Sequence, residues 1–254
     1  MLKPTIIIHP LLLSYVKSIQ LEDSEQSTHS YRIYPGLTLV MGFQTQGAIA
    51  HVAEDNKKTP LKPSGITGLL TQYRNFQSSS PLTKSILIEF YPWAINYLFK
   101  ESAKAFSNQS LGLSDLINEQ VINQLEEKIH GTTDLQTQIT LIQNFLVSLV
   151  SRDVKPHARI IRIVKHIMTN PTQSVQELAK NQGYSQRTLE RHFNELIGIS
   201  PKQLMRISRF QKVLEQIHKG YPWTLLAEHF NYYDQSHFIK EFRQYTGKTP
   251  DSFF

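Results

Sequence analysis

The chain has no cysteine, which removes disulfides, thiolate metal sites and thiol nucleophiles together. It also lacks a long hydrophobic run. The apolar stretch near the start, Ile6-Ile7-Ile8 followed by Leu11-Leu12-Leu13, is broken by His9-Pro10. That is too short for a membrane helix and too interrupted for a secretory signal, so a cytoplasmic protein is expected. Histidine is present ten times, but no pair stands at a ligand spacing beside a carboxylate, and His9, His29 and His51 are isolated. A β-barrel metal site would want a His-x-His cluster with a downstream Glu, so no metal and no other cofactor is expected. Gly65-x-x-Gly68 is without the third glycine and basic residue of a phosphate loop. No Ser/His/Asp set can be assembled, and no catalytic residue is assigned.

Surplus charge is missing from one half only. Residues 1–152 hold 12 Lys/Arg and 12 Asp/Glu, whereas residues 153–254 hold 15 and 9, so the whole +6 lies in the second part. A basic excess confined to one region is the electrostatic footprint of a polyanion binder, with a merely solvated basic face as the bland alternative. At 254 residues the chain suits two domains, divided at 152/153, each large enough for its own core.

The second domain reads as a repeat. The segment SVQELAKNQGYSQRTLERHFNELIGISP from Ser174 and the segment WTLLAEHFNYYDQSHFIKEFRQYTGKTP from Trp223 are two helix-turn-helix units. Placing Phe193 on Phe242 brings Leu189 onto Phe238, Gly198 onto Gly247 and Pro201 onto Pro250, an offset of 49. Upstream of the turns the offset is 48, matching Leu178-Ala179 to Leu226-Ala227, so the second turn is one residue longer. Ser174 with Glu177 makes a capping box for a helix that turns Val175 and Leu178 inward. Gly183 supplies the left-handed turn residue, and Asn231 replaces it in the second unit, since Asn also visits that conformation. Ser185 and Asp234 then cap the second helix of each unit. In the first, Leu189, Phe193 and Leu196 share one face, opposite Gln186, Arg187, Glu190, Arg191 and Asn194. In the second, the polar face offers Gln235, Ser236, His237, Lys240 and Arg243. Tyr184 and Tyr232 are expected to wedge the turns, His192 to pack beside Phe193, and Trp223 to lie in the core. Between the units, Ser200, Pro201 and Gln203 start a helix that runs to His218, about 25 Å long and suited to hold two helices roughly one DNA turn (about 34 Å) apart.

These residues resemble the AraC/XylS family of transcriptional regulators. The resemblance is carried by Leu178-Ala179, Gly183-Tyr184-Ser185, Leu189-Glu190-Arg191, Phe193, Gly198-x-Ser200-Pro201 and Arg209-Phe210. It continues through Asp234-Gln235-Ser236-His237-Phe238, Phe242-Arg243 and Gly247-x-Thr249-Pro250, and so covers about the last hundred residues. Asn231 and the Tyr232-Tyr233 pair depart from the pattern. The resemblance implies a regulator that binds double-stranded DNA, contacts RNA polymerase, can form a homodimer and takes a small-molecule effector in its first domain. It further implies that Arg187, Glu190 and Arg191, with Gln186 beside them, read one major groove, and that Gln235, Ser236, His237 and Lys240 read the next. Lys202, Arg206 and Arg243 are expected at the phosphate backbone. The absence of cysteine excludes relatives of this module that accept alkyl groups on that residue.

The first domain is expected to be α+β: a β-rich domain, cupin-like or related, closing with helices, ahead of the all-α double helix-turn-helix domain. Residues 1–91 read as strand-rich, with a turn at Pro35-Gly36, a polar loop over 55–64 and a strand over 85–90 ended by Pro92. Residues 93–106 read as helical with Leu98-Phe99 inward, and Phe90 to Phe99 resembles a segment of one subgroup of such sensing domains. A helix over 113–129 is expected to bury Leu116, Ile117, Val121, Leu125 and Ile129, capped by Ser114. A second, over 134–151, places Leu135, Ile139, Ile142, Leu146 and Leu149 on a 4-3-4-3 seam that reads either as a dimer contact or as packing on its own sheet. A further helix is expected from Pro156, with Ile160, Ile161, Val164 and Ile167 inward. The competing functional reading is a small-molecule-binding or enzymatic β-domain with a secondary DNA-binding tail.

Overall fold

The computed structural model describes residues 6–24, 30–150 and 157–253. The boundary at 152/153, the helix start at Pro156 and His29 lie outside the described residues.

Two antiparallel sheets form the first domain. Strands β1 (Val16–Ser24), β3 (Leu39–Gln46), β6 (Ser64–Thr67), β8 (Thr83–Phe90) and β9 (Ser110–Gly112) make one sheet in the order β1-β8-β3-β6-β9. Strands β2 (Ser30–Ile33), β4 (Ile49–Val52), β5 (Lys58–Pro60) and β7 (Arg74–Ser78) make the other in the order β2-β7-β4-β5. Alternation along the strands assigns the faces. Leu39, Met41 and Phe43 of β3 and Ile86, Ile88 and Phe90 of β8 are all buried, in one core with residues of the helices that follow. The opposite face of that sheet carries Gln20, Gly42, Thr67 and Leu87, only partly buried. Arg74 crosses from the four-stranded sheet toward this face, donating from Nη1 to Ser110 Oγ at 3.2 Å and from Nη2 to the Asn108 carbonyl.

Several expectations shift here. The polar loop over 55–64 contains β5, an edge strand on which Pro60 is tolerated because one side of it has no partner strand. Residues 93–106 do not form one helix. The first, α1 (Ala94–Phe99), stops at Lys100, whose φ of +56° is left-handed, and a 3-10 turn follows at Ala103–Phe106. Helix α2 (Glu119–His130) starts later than expected, under an Asn118 cap, and buries Ile122, Leu125 and Ile129. Val121 points outward at 48% exposure. Asp134 caps α3 (Leu135–Leu149), and its seam faces the protein: Ile139, Ile142 and Leu146 are buried in the shared core. Packing within the domain therefore takes up the surface offered for a dimer contact.

Helix α4 (Ala158–Thr169) opens the second domain with Ile160, Ile163, Val164 and Ile167 inward, while Ile161 is only partly buried. Then come α5 (Val175–Asn181), α6 (Gln186–Leu196), α7 (Pro201–His218), α8 (Trp223–His229), α9 (Gln235–Thr246) and α10 (Pro250–Phe253). The expected capping boxes at Ser174/Glu177 and Ser200/Gln203 both form. At 18 residues, α7 spans about 27 Å between the two units.

Candidate nucleic-acid interface

Helices α5 and α6 make the first helix-turn-helix unit and α8 and α9 the second. Gly183 and Asn231 take φ of +70° and +54° at the turns. The next residue closes each turn the same way: Tyr184 N–H donates to the Ala179 carbonyl and Tyr232 N–H to the Ala227 carbonyl, both at 3.0 Å. Tyr184 and Tyr232 thus share the offset of 48, while the caps Ser185 and Asp234 are 49 apart. The additional residue of the second turn is Tyr233, and its side chain is 92% exposed. Tyr232 wedges its turn, buried, with its ring 4.9 Å from Phe238. Tyr184 is half-buried, 5.6 Å from the His192 ring. Trp223 is not sealed in the core: half-buried, it stacks on Phe238 and donates from Nε1 to Asp251 at 2.8 Å.

Leu189, Phe193 and Leu196 are buried and fix the rotation of α6, which turns Gln186, Arg187 and Arg191 to solvent. Glu190 accepts from Gln186 Nε2 at 3.0 Å. Arg187, Glu190 and Arg191 line an open cleft with Asn194 and Glu195, and its far side is made by Ser102 and Lys104 of the first domain. On α9, buried Phe238, Phe242 and Tyr245 do the same job. A second cleft gathers Ser236, Lys240 and Arg243 with Ile239, Gln244 and Thr249. Gln235 is exposed on the first turn, and His237 leans on Tyr232 with ring centroids 5.5 Å apart. Lys202 is exposed at the start of α7.

Arg206 has an internal partner. Its Nε donates to Glu241 at 2.6 Å and its Nη2 reaches Gln244 at 3.4 Å. Burial would lower its pKa, but the hydrogen bond to Glu241 and the neighbouring charges outweigh burial and raise it. Glu241 is 1% exposed and also receives Arg209 at 3.3 Å. Sequence reasoning missed this carboxylate, although Glu241 stands three residues after Phe238 and four before Tyr245, on the apolar stripe of α9. It also gave no site role to Tyr233, Gln244 and Thr249. Tyr233 was within reach, because the change of offset from 48 to 49 places the extra residue at the turn.

Residues 158–254 match the family model described as a helix-turn-helix domain. Among solved structures, ToxT from Vibrio cholerae aligns at 11% identity over 93% of this chain and 98% of that chain, with a TM-score of 0.52. ToxT from Vibrio cholerae O395 bound to (E)-4-(8-methylnaphthalen-1-yl)but-3-enoic acid gives the same identity of 11%, coverage of 93% and 98%, and TM-score of 0.52. The AraC-like transcriptional activator CuxR aligns at 19% identity over 80% of this chain and 78% of that chain, with a TM-score of 0.31. No match was found among curated proteins. The likeness to ToxT is one of fold, a β-rich domain followed by a helical one.

Proposed function

We propose, from the AraC-type helix-turn-helix domain that occupies residues 158–254, that this chain is a DNA-binding transcription regulator which reads two adjacent major grooves. The observation that carries this reading is the repetition of one geometry. Two helices, each locked by a buried Phe and capped at its first turn, turn a cluster of donors outward, one preceding α7 in the chain and one following it. Arg187 and Arg191 supply the forked donors that match guanine O6 and N7, and Glu190, held by Gln186, accepts from cytosine N4. Ser236, Lys240 and Arg243 form the second set, with Gln235 and His237 on its first turn, and Lys202 serves the phosphates. Arg206 acts mainly by holding Glu241, which orients α9.

The first domain is proposed to take a small-molecule effector between its sheets. The facing sides carry Tyr31, His51 and Arg74 from one sheet and Gln20, Gly42 and Thr67 from the other, all partly buried where a sealed core would bury them fully. Self-association, if it regulates the protein, would use a surface other than the inward seam of α3, and RNA polymerase is the machinery such a regulator acts on. Among the described residues no helix is long and apolar enough to cross a membrane. A cytoplasmic location is part of this reading.

The test is a gel shift on DNA selected from a random pool by the full chain, across a salt series. Binding with a steep salt dependence and footprints in two successive grooves is expected. Salt-insensitive or absent binding overturns the reading.

A further inference from the structure

The turns that follow α6 and α9 sit at equivalent places in the repeat, Gly198 and Gly247, with φ of +87° and +74°. The β-rich domain touches both. A side chain at Gly198 would collide with the Ala103 carbonyl, and a Cβ at Gly247 would come within 2.7 Å of Arg32 Nη1 and 2.8 Å of the Tyr73 ring. Arg32 Nη1 donates to the Thr246 carbonyl at 2.5 Å, and its guanidinium lies 4.4 Å over Tyr73. Nearby, Gln211 donates to the Pro35 carbonyl, and the rings of Tyr34 and Phe253 are 5.4 Å apart.

The two grips differ in what they cover. At the second unit the cleft of Ser236, Lys240 and Arg243 is lined by residues of the helical domain. At the first, Ser102 and Lys104 stand across the cleft from Arg187, Glu190 and Arg191. A duplex read by α6 must bring a major groove about 12 Å wide, with a phosphate strand on each side, over that cleft. The segment 102–104 stands where one wall of the groove has to pass.

We propose that the docked arrangement is a half-open state, in which the β-rich domain leaves the second reading face free and screens the first. Release of residues 102–106 from the turn at Gly198 admits the second groove. The proposal rests on α6 and α9 being the DNA-reading helices. It makes Arg32 a latch: its hydrogen bond to Thr246 holds the domains together without touching either reading face.

The full chain carries the test, and its lack of cysteine makes site-specific linkage clean. Lys104→Cys with Glu195→Cys, the latter on α6 but outside its assigned reading residues, joined by a short bismaleimide, fixes the segment beside α6; the same variant capped with N-ethylmaleimide is the control. On DNA selected from a random pool, the linked form is expected to protect one groove and the capped form two. Arg32→Ala is expected to tighten binding to the two-groove site about ten-fold, by freeing the domains. Two grooves protected by the linked form, or unchanged or weaker binding by a folded Arg32→Ala chain, overturns the half-open state. No salt-sensitive binding by any form removes the DNA reading itself and the proposal with it.

Discussion

The Tyr232 hydroxyl donates to Glu241 Oε1 at 2.9 Å, and both residues are buried. Arg206 and Arg209 reach the same carboxylate, so one anion ties the turn of the second unit to α7 and α9. Burial, then the Glu241 charge, pushes the Tyr232 phenol far above its ordinary range, so it stays a donor. Substituting a buried carboxylate that two guanidinium groups share leaves both cations facing one another without an anion between them. Glu241→Gln is expected to destabilise the helical domain by about 3 kcal/mol, whereas Tyr232→Phe is expected to cost about 1 kcal/mol. Thermal unfolding of the two variants checks the order; equal losses would show that the hydroxyl, not the cation pair, sets the network.

Tyr233 is expected to separate binding from folding. Its side chain is 92% exposed beside the Asp234 cap, so Tyr233→Ala should change stability by less than about 0.5 kcal/mol. It should nevertheless weaken binding to selected DNA, because the phenol stands at the entry of α9. Tyr233→Phe distinguishes the ring from the hydroxyl. Wild-type affinity in Tyr233→Ala would confine the extra residue to setting the length of the turn.

Arg191 and Lys240 occupy equivalent outward positions 49 apart, but their chemistry differs. Arg191→Ala should cost about 1–3 kcal/mol on the specific site and relax preference at one base pair. Lys240→Ala, if it meets phosphate, should weaken all sequences alike and reduce the salt slope by about one ion. Affinities on selected and scrambled DNA across salt resolve the two. An Arg191→Ala chain that stays folded, with affinity and preference intact, would mean that α6 docks on another face.

Acid should loosen the protein through two histidines. Burial first, then the His192 charge, lowers the pKa of His157 from 6.5, against a weaker opposing effect of Glu195. Burial first, then Arg74, lowers that of His51 from 6.5. Below pH 6.5 the unfolded chain binds these protons while the folded one still resists them, so stability falls with pH until the lowered folded values are passed. The backbone N–H of His157 donates to Tyr97 Oη at 3.1 Å, so its surroundings belong to the junction between domains. Thermal unfolding against pH should show this decline, and a His51→Gln, His157→Gln chain should flatten it; an unaltered profile would assign the acid sensitivity elsewhere.

The helical domain was more legible in the sequence than the β-rich one. Caps such as Ser174, Ser185, Ser200 and Asp234 act within three residues, so their role is visible locally, and the repeat states each feature twice. In the first domain the decisive relations are long-range. Nothing near Lys100 announces a left-handed residue that ends α1, and only the fold shows why Ile122 rather than Val121 turns inward. The same limit hid the site's support. Glu241 became intelligible only when Arg206, 35 residues earlier, was found against it.

Joining the two units through α7, rather than relating them by a rotation axis, has a consequence for the DNA. A symmetric dimer reads a palindrome and has no front or back. Here a single polypeptide presents unlike faces, Arg187, Glu190 and Arg191 on its first unit and Ser236, Lys240 and Arg243 on its second. On the proposed reading, its operator is a directional word rather than a palindrome. One chain bound to it has a defined heading, and reversing the site relative to a promoter would turn a different flank of the protein toward the start of transcription.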